Sequence, residues 1–265
     1  MSFDEFLVKY HKDKIKRYKK RFLNNYKGLG VTESDNKERA FRAFLYRVDY
    51  WQANIPYDTL ETLFQETIFE KEVREYDLVD GSVGETCDFY KDLYHIYVTS
   101  VNKEIYDNGL SFIFYGYNEA GKTFSAIHAL ASAIESGMSG YYIHFKDLLN
   151  LYNNAEFGRE TDEVILFRHI LDCDFLVVDE IGKESSVTEN VLGVFEKVIK
   201  YRDEEALPTI LVTNVPFAVQ RGSDTQTFKQ RYGNSIYNCL IKRYRAFWFS
   251  KKGRFRQRTR KEWNI

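Results

Sequence analysis

The chain has few of the residues from which compact metal sites are built. Only three cysteines occur in 265 residues, Cys87, Cys173 and Cys239, far apart and without a C-x-x-C pair. That spacing excludes a zinc ribbon or finger resting on paired thiolates, and it fits a reduced, cytoplasmic protein. No apolar run is long enough to span a bilayer, and none near the start has the form of a secretory leader. Prolines are equally scarce, three in all, in a chain rich in Tyr, Phe, Asn and Lys. Such usage tracks AT-rich genomes and points to a phage or low-GC bacterial source. Net charge is -1, which says nothing of partners until it is resolved along the chain.

Against this background one stretch carries a defined chemistry. Gly116, Tyr117, Asn118, Glu119, Ala120, Gly121, Lys122 and Thr123 spell G-x-x-x-x-G-K-[ST], and Phe124 follows. A tight loop between strand and helix aims backbone N–H groups at a triphosphate. Lys122 then reaches the β- and γ-phosphates, and the Thr123 hydroxyl serves Mg²⁺. The flanks agree. Residues 110–115 read as a short buried strand entering the loop, and 123–134 as a helix leaving it.

Downstream, the chain alternates strand and helix. Strands are expected at 141–145, 175–180 and 209–214, and helices from 147, from 161 and over 187–202. The strand Phe175-Leu176-Val177-Val178 ends in Asp179-Glu180, the Walker B arrangement. Asp179 is placed to hold Mg²⁺, through water, and Glu180 to polarise the attacking water. Asn214, at the polar tip of the 209–214 strand, is placed beside Glu180 to help orient that water. The alternation implies an α/β fold with a doubly wound parallel sheet, whose ligands bind at strand C-termini.

The remaining segments are marked by charge. Residues 3–23 read as a helix with Phe3, Leu7, Tyr10, Tyr18 and Phe22 along one stripe and eight basic residues from Lys9 to Arg21. This is either a docking helix for protein or nucleic acid, or a solvated face over a small bundle. A second helix is expected over 32–51 and another over 89–106. Residues 57–92 hold eleven acids against three bases. Residues 242–261 hold ten bases and no acid, interleaved with Tyr244, Phe247, Trp248, Phe249 and Phe255. Bases of this kind neutralise phosphates and aromatics stack nucleobases, although a strand over 246–249 would take some of the rings into a core.

Taken in order, Ala53-Asn54-Ile55-Pro56, the phosphate loop, Asp179-Glu180-Ile181-Gly182-Lys183-Glu184, Leu207-Pro208-Thr209-Ile210 through Thr213-Asn214, and Leu240-Ile241-Lys242-Arg243 resemble the DnaC/DnaI group of helicase loaders within the AAA+ ATPases. The IstB transposition helpers share most of this pattern. The resemblance covers residues 51–256 and implies an AAA+ domain at 51–265 behind a helical partner-binding region at 1–50. It further implies ATP with Mg²⁺, a self-associating ATPase, a DnaB-type replicative helicase as partner, and single-stranded DNA held on an inner basic surface. Arg243 matches the arginine that reaches a neighbour's γ-phosphate, with Arg231 as the alternate. Arg256 matches an arginine that follows the last strand and senses nucleotide. Glu119 departs from the family, which has glycine there.

The expected function is therefore ATP-dependent loading of a replicative helicase. An IstB-like transposition helper and a nucleotide-gated DNA-binding regulator with weak hydrolysis stand as alternatives, and a small-molecule P-loop kinase as a rival from another class. The Asp-Glu and Thr-Asn strand tips, which serve to activate water, speak against the kinase.

Overall fold

The structure, a computed structural model, describes residues 52–56, 59, 68–87, 108–157, 162–219 and 225–256. The helices expected over 3–23, 32–51 and 89–106 lie outside these residues. The chain divides into two compact units, Met1–Phe64 and Gln65–Ile265. The fold that follows belongs to the second.

Seven strands form its sheet: β1 (Ile68–Tyr76), β2 (Val83–Cys87), β3 (Ser111–Gly116), β4 (Gly140–His144), β5 (Phe175–Ile181), β6 (Thr209–Thr213) and β7 (Tyr244–Arg256). Five helices flank them: α1 (Lys122–Glu135), α2 (Phe145–Phe157), α3 (Asp162–Asp172), α4 (Glu189–Glu204) and α5 (Phe228–Arg243). The spatial order is β2-β1-β7-β3-β6-β5-β4. Strands β7, β3, β6, β5 and β4 run parallel. Strand β1 pairs antiparallel with β7, and β2 antiparallel with β1.

The central strands are the ones with continuous apolar runs, as parallel strands covered on both faces require. Phe112, Ile113 and Phe114 of β3, Leu176, Val177 and Val178 of β5, and Ile210, Leu211 and Val212 of β6 are all buried. Helix α4 presents Val191, Val194, Phe195, Val198 and Ile199 to the core. Its next inward position is Arg202, which is fully buried. Among the described residues its guanidinium hydrogen-bonds to no carboxylate. It donates to Thr209 Oγ1 at 2.8 Å and to the carbonyls of Leu171, Cys173 and Pro208 at 2.8, 2.8 and 2.7 Å. The cation thus caps the C-terminal end of α3, where the helix dipole favours positive charge.

The oppositely charged segments meet in the sheet, and the strand expected over 246–249 takes its rings into the core. The acidic stretch supplies strands β1 and β2, and β1 pairs along its length with the basic C-terminal strand. Glu75 of β1 forms an ion pair with Arg245 of β7. In addition, Tyr244, Phe247 and Phe249 enter the core, where Phe247 and Phe249 pack on Phe114 with ring centroids 6.3 and 5.1 Å away. The energy of burying these rings outweighs an exposed stacking role. Trp248 keeps partial exposure.

Candidate nucleotide-binding site

Strand β3 delivers the chain into the phosphate loop against β7. A Cβ at Gly116 would fall 2.3 Å from the Phe249 carbonyl oxygen, so only glycine fits this approach. The loop turns through left-handed backbone at Glu119 (φ 59) and Gly121 (φ 94). Gly121 is the N-cap of α1 and supplies no side-chain cap, which leaves first-turn N–H groups to a bound anion. Tyr117, Asn118 and Glu119 are exposed, Ala120 is buried, and Thr123 and Phe124 are half-buried. Glu119 therefore occupies the glycine-like conformation with its side chain in solvent.

Lys122 is buried in this ring, 7% exposed. Its Nζ donates to the Gly116 carbonyl at 3.0 Å and to the Tyr117 carbonyl. Burial pushes its pKa down to about 8; Asp179 opposes the shift and Lys183 adds to it.

The two carboxylates arrive on β5. Asp179 is buried and held on both sides. Its Oδ2 accepts from the Tyr142 hydroxyl at 2.8 Å, and its Oδ1 from the Glu180 N–H at 2.6 Å. Burial, reinforced by Asp179, raises the Tyr142 pKa far beyond its ordinary value, so the phenol stays a donor. Glu180 sits at φ 61, where the β5–β6 register shifts between Val178 and Ile181. A non-glycine residue there stores about 1–3 kcal/mol, and the shift turns its side chain out of the sheet plane. Glu180 Oε1 lies 2.5 Å from Lys183 Nζ, and Oε2 3.4 Å from His144 Nδ1.

Asn214, one residue past β6, reaches the loop. Its Nδ2 donates to Asn118 Oδ1 at 2.6 Å. The loop, Asp179, Glu180 and Asn214 are thus gathered at one sheet edge, the C-terminal ends of β3, β5 and β6.

Arg243 and Arg231 fall elsewhere. Tyr244 pairs with Ser111 and Phe249 with Gly116, so Arg243 stands at the opposite end of the sheet, one β3 length (about 17 Å) from its own loop. Its side chain is 64% exposed and lies 3.4 Å from Asp203. Arg231 is committed internally: its Nε donates to Glu184 Oε1 at 2.8 Å. Arg256 closes β7 opposite Ile68. Pairing with β1 carries the last strand on through Arg256, which is therefore its final residue rather than one that follows it.

The donors fit Mg–ATP. Among the described residues no group of three or more His, Cys, Asp or Glu is arranged to hold a metal. Magnesium takes one or two protein oxygens and completes its shell with phosphates and water. Thr123 and Asp179 would hold it.

The family described as IstB-like ATP binding protein matches residues 101–244. The chain belongs to this family. The match takes in the loop, Asp179, Glu180, Asn214 and Arg243, while β1, β2 and nearly all of β7 lie outside it. Among solved structures, this IstB-like protein is similar to the DnaC helicase loader, at 23% identity over 61% of this chain and 95% of that one, TM-score 0.47. A putative primosome component from Streptococcus pyogenes serotype M3 is 22% identical over 59% and 80%, TM-score 0.40. DnaI is 18% identical over 56% and 80%, TM-score 0.43. Comparison with curated proteins gives no match. This IstB-like ATP-binding protein has a mixed α/β fold around a mostly parallel seven-stranded sheet flanked by helices. Among the described residues no helix is long and apolar enough to cross a membrane.

Sequence reasoning missed three supporting residues. Tyr142 and His144 looked like ordinary strand residues, and only the pairing of His144 with Asp179 brings them to the carboxylates. Glu184 was visible within a motif but had no assigned role.

Proposed function

We propose that this protein is an oligomeric ATPase that loads a DnaB-type replicative helicase onto single-stranded DNA, with bound nucleotide setting its assembly state. The observation that carries the reading is the separation of Arg243 from its own loop. An exposed arginine at the far end of the sheet cannot serve its own nucleotide, but it is available to a neighbour's. A site completed in trans makes hydrolysis report on assembly.

Within one subunit, the loop N–H groups and Lys122 would bind the phosphates, while Thr123 and Asp179 would hold Mg²⁺. Bound Mg–ATP supplies the phosphoryl group and the charge that offsets its oxygens. Glu180 polarises the attacking water, and Asn214, tied to Asn118, orients it. Arg243 of the adjacent subunit stabilises charge as the bond to the leaving oxygen weakens. The basic stripe at 9–21 is assigned to helicase contact, in a partner-binding region at 1–50. The basic C-terminal segment and Arg256 are assigned to DNA and nucleotide respectively.

The match to IstB-like ATP binding protein keeps a second reading in view, the IstB-like transposition helper, an ATPase that would assist a transposase on duplex DNA. A pull-down of the full chain against the host's replicative helicase, with Mg²⁺ and ATP, ADP or no nucleotide, separates the two. Nucleotide-sensitive co-migration supports the loader. Absence of binding in every state, together with ATP-dependent retention of duplex DNA, supports the transposition helper.

A further inference from the structure

Glu184 lies four residues beyond Glu180, and its side chain is 5% exposed. Its Oε2 accepts from the Gly182 N–H at 3.0 Å. Its Oε1 accepts from Arg231 Nε at 2.8 Å and from the Tyr232 hydroxyl at 2.6 Å. Arg231 also donates through Nη2 to the Glu184 carbonyl at 3.0 Å. One buried carboxylate thus joins the loop behind the water-polarising acid to the first turn of α5.

The same two regions meet through β6. Thr213 Oγ1 donates to the Ile181 carbonyl at 2.9 Å and accepts from the Val215 N–H at 3.0 Å. The Phe228 N–H, opening α5, donates to the Pro216 carbonyl at 2.6 Å. Thr227 and Gln230 cap that turn reciprocally. Immediately after Tyr232 the helix is broken at Gly233 (φ 84, ψ 172), a conformation essentially restricted to glycine. The docked turn 228–232 is therefore a separate piece. The segment that ends in Arg243 leaves from it, so its direction depends on how that turn is held.

We propose that Glu184 is a positioning residue: it fixes the docked turn of α5 to the loop behind Glu180 and so sets where Arg243 stands for the neighbouring subunit. The proposal rests on the reading of Arg243 as the trans arginine. A carboxylate is required because it accepts from an arginine and a phenol on one oxygen and from a backbone N–H on the other. An amide offers a single acceptor oxygen and leaves Arg231 without a counter-charge.

The test uses mixed assemblies, so that the altered subunit is never the one whose turnover is read. Wild-type protein is mixed with an excess of Glu180→Gln chains, which cannot polarise water, carrying in addition no change, Arg243→Ala, Glu184→Gln or Tyr232→Phe. Co-assembly is verified by sedimentation, and nucleotide affinity is measured for each partner. With Glu184→Gln partners, turnover of the wild-type sites falls about 10- to 100-fold relative to partners bearing Glu180→Gln alone, the scale expected when a reacting group is displaced by about 1 Å. Tyr232→Phe, which removes one hydrogen bond and no charge, gives a smaller fall in the same direction. If Arg243→Ala partners depress the wild-type sites while Glu184→Gln and Tyr232→Phe partners, co-assembled and binding ATP normally, do not, Glu184 is merely structural and the proposal is overturned. If Arg243→Ala partners also leave turnover unchanged, it is the trans-arginine reading that fails.

Discussion

Asn214 donates its side-chain amide to Asn118 Oδ1 at 2.6 Å, joining the tip of β6 to the phosphate loop. The two residues are 96 apart in sequence, and both are exposed at the edge where Glu180 also stands. The proposed function sets this amide beside the γ-phosphate of bound ATP. Replacing Asn214 with Ala leaves ATP affinity within about twofold and lowers turnover roughly 100-fold, the usual loss for one oriented donor. Equilibrium nucleotide binding and steady-state hydrolysis on the same preparation check this. A parallel loss of affinity would assign Asn214 to loop stability instead.

Glu119 is held at φ 59, a region that costs an L-residue about 1–2 kcal/mol. It also places a negative charge on the loop that receives a polyphosphate. Glu119→Gly therefore raises the melting temperature by about 2–4 °C. It also tightens ATP binding about fivefold at low salt, a gain that shrinks as ionic strength rises. Calorimetry at two salt concentrations tests both effects.

Burial lowers the Lys122 pKa from 10.5 to about 8. The unfolded chain then binds more protons than the folded one between those values, so this group's contribution to stability is present above 10.5 and lost as pH falls through 8. ATP binding has the opposite slope, because phosphates restore the ammonium. Binding at pH 9 takes up close to one proton, and affinity falls as pH rises above about 8. Titrations in buffers of different ionisation enthalpy measure the uptake. Lys122→Met abolishes it.

Arg202 is fully buried, and its removal strands the acceptors it serves. Arg202→Met leaves the Thr209 hydroxyl and the carbonyls of Leu171, Cys173 and Pro208 without their donor. The expected loss is about 3–5 kcal/mol, read as a lower urea midpoint at unchanged slope. A loss below about 1 kcal/mol would mean that water replaces the guanidinium.

These residues also mark how far the sequence could be read. Strands β3, β5 and β6 were legible because both of their faces are covered and their apolar runs are unbroken; the loop, Asp179, Glu180 and Asn214 followed from their tips. Strand β1 was not, because Glu70, Lys71, Glu72, Arg74 and Glu75 present it as an acidic surface until β7 is placed beside it. Helix α5 is broken at Gly233 and carries few apolar residues, which hid its period. Arg202 continues the inward stripe of α4 at helical spacing, yet a charge at that position reads as solvent-facing until its carbonyl acceptors are seen. Charge patterns misled wherever partners distant in sequence satisfied the charge.

The central claim is that each ATP site is completed by a neighbour. The most direct measurement is turnover per chain as a function of protein concentration, for wild type and Arg243→Ala, with nucleotide binding followed in parallel. The account predicts that wild-type turnover rises steeply as chains associate, while Arg243→Ala binds ATP normally and stays at the low-concentration level throughout. Turnover independent of concentration, or equal in the two proteins once assembled, would contradict it.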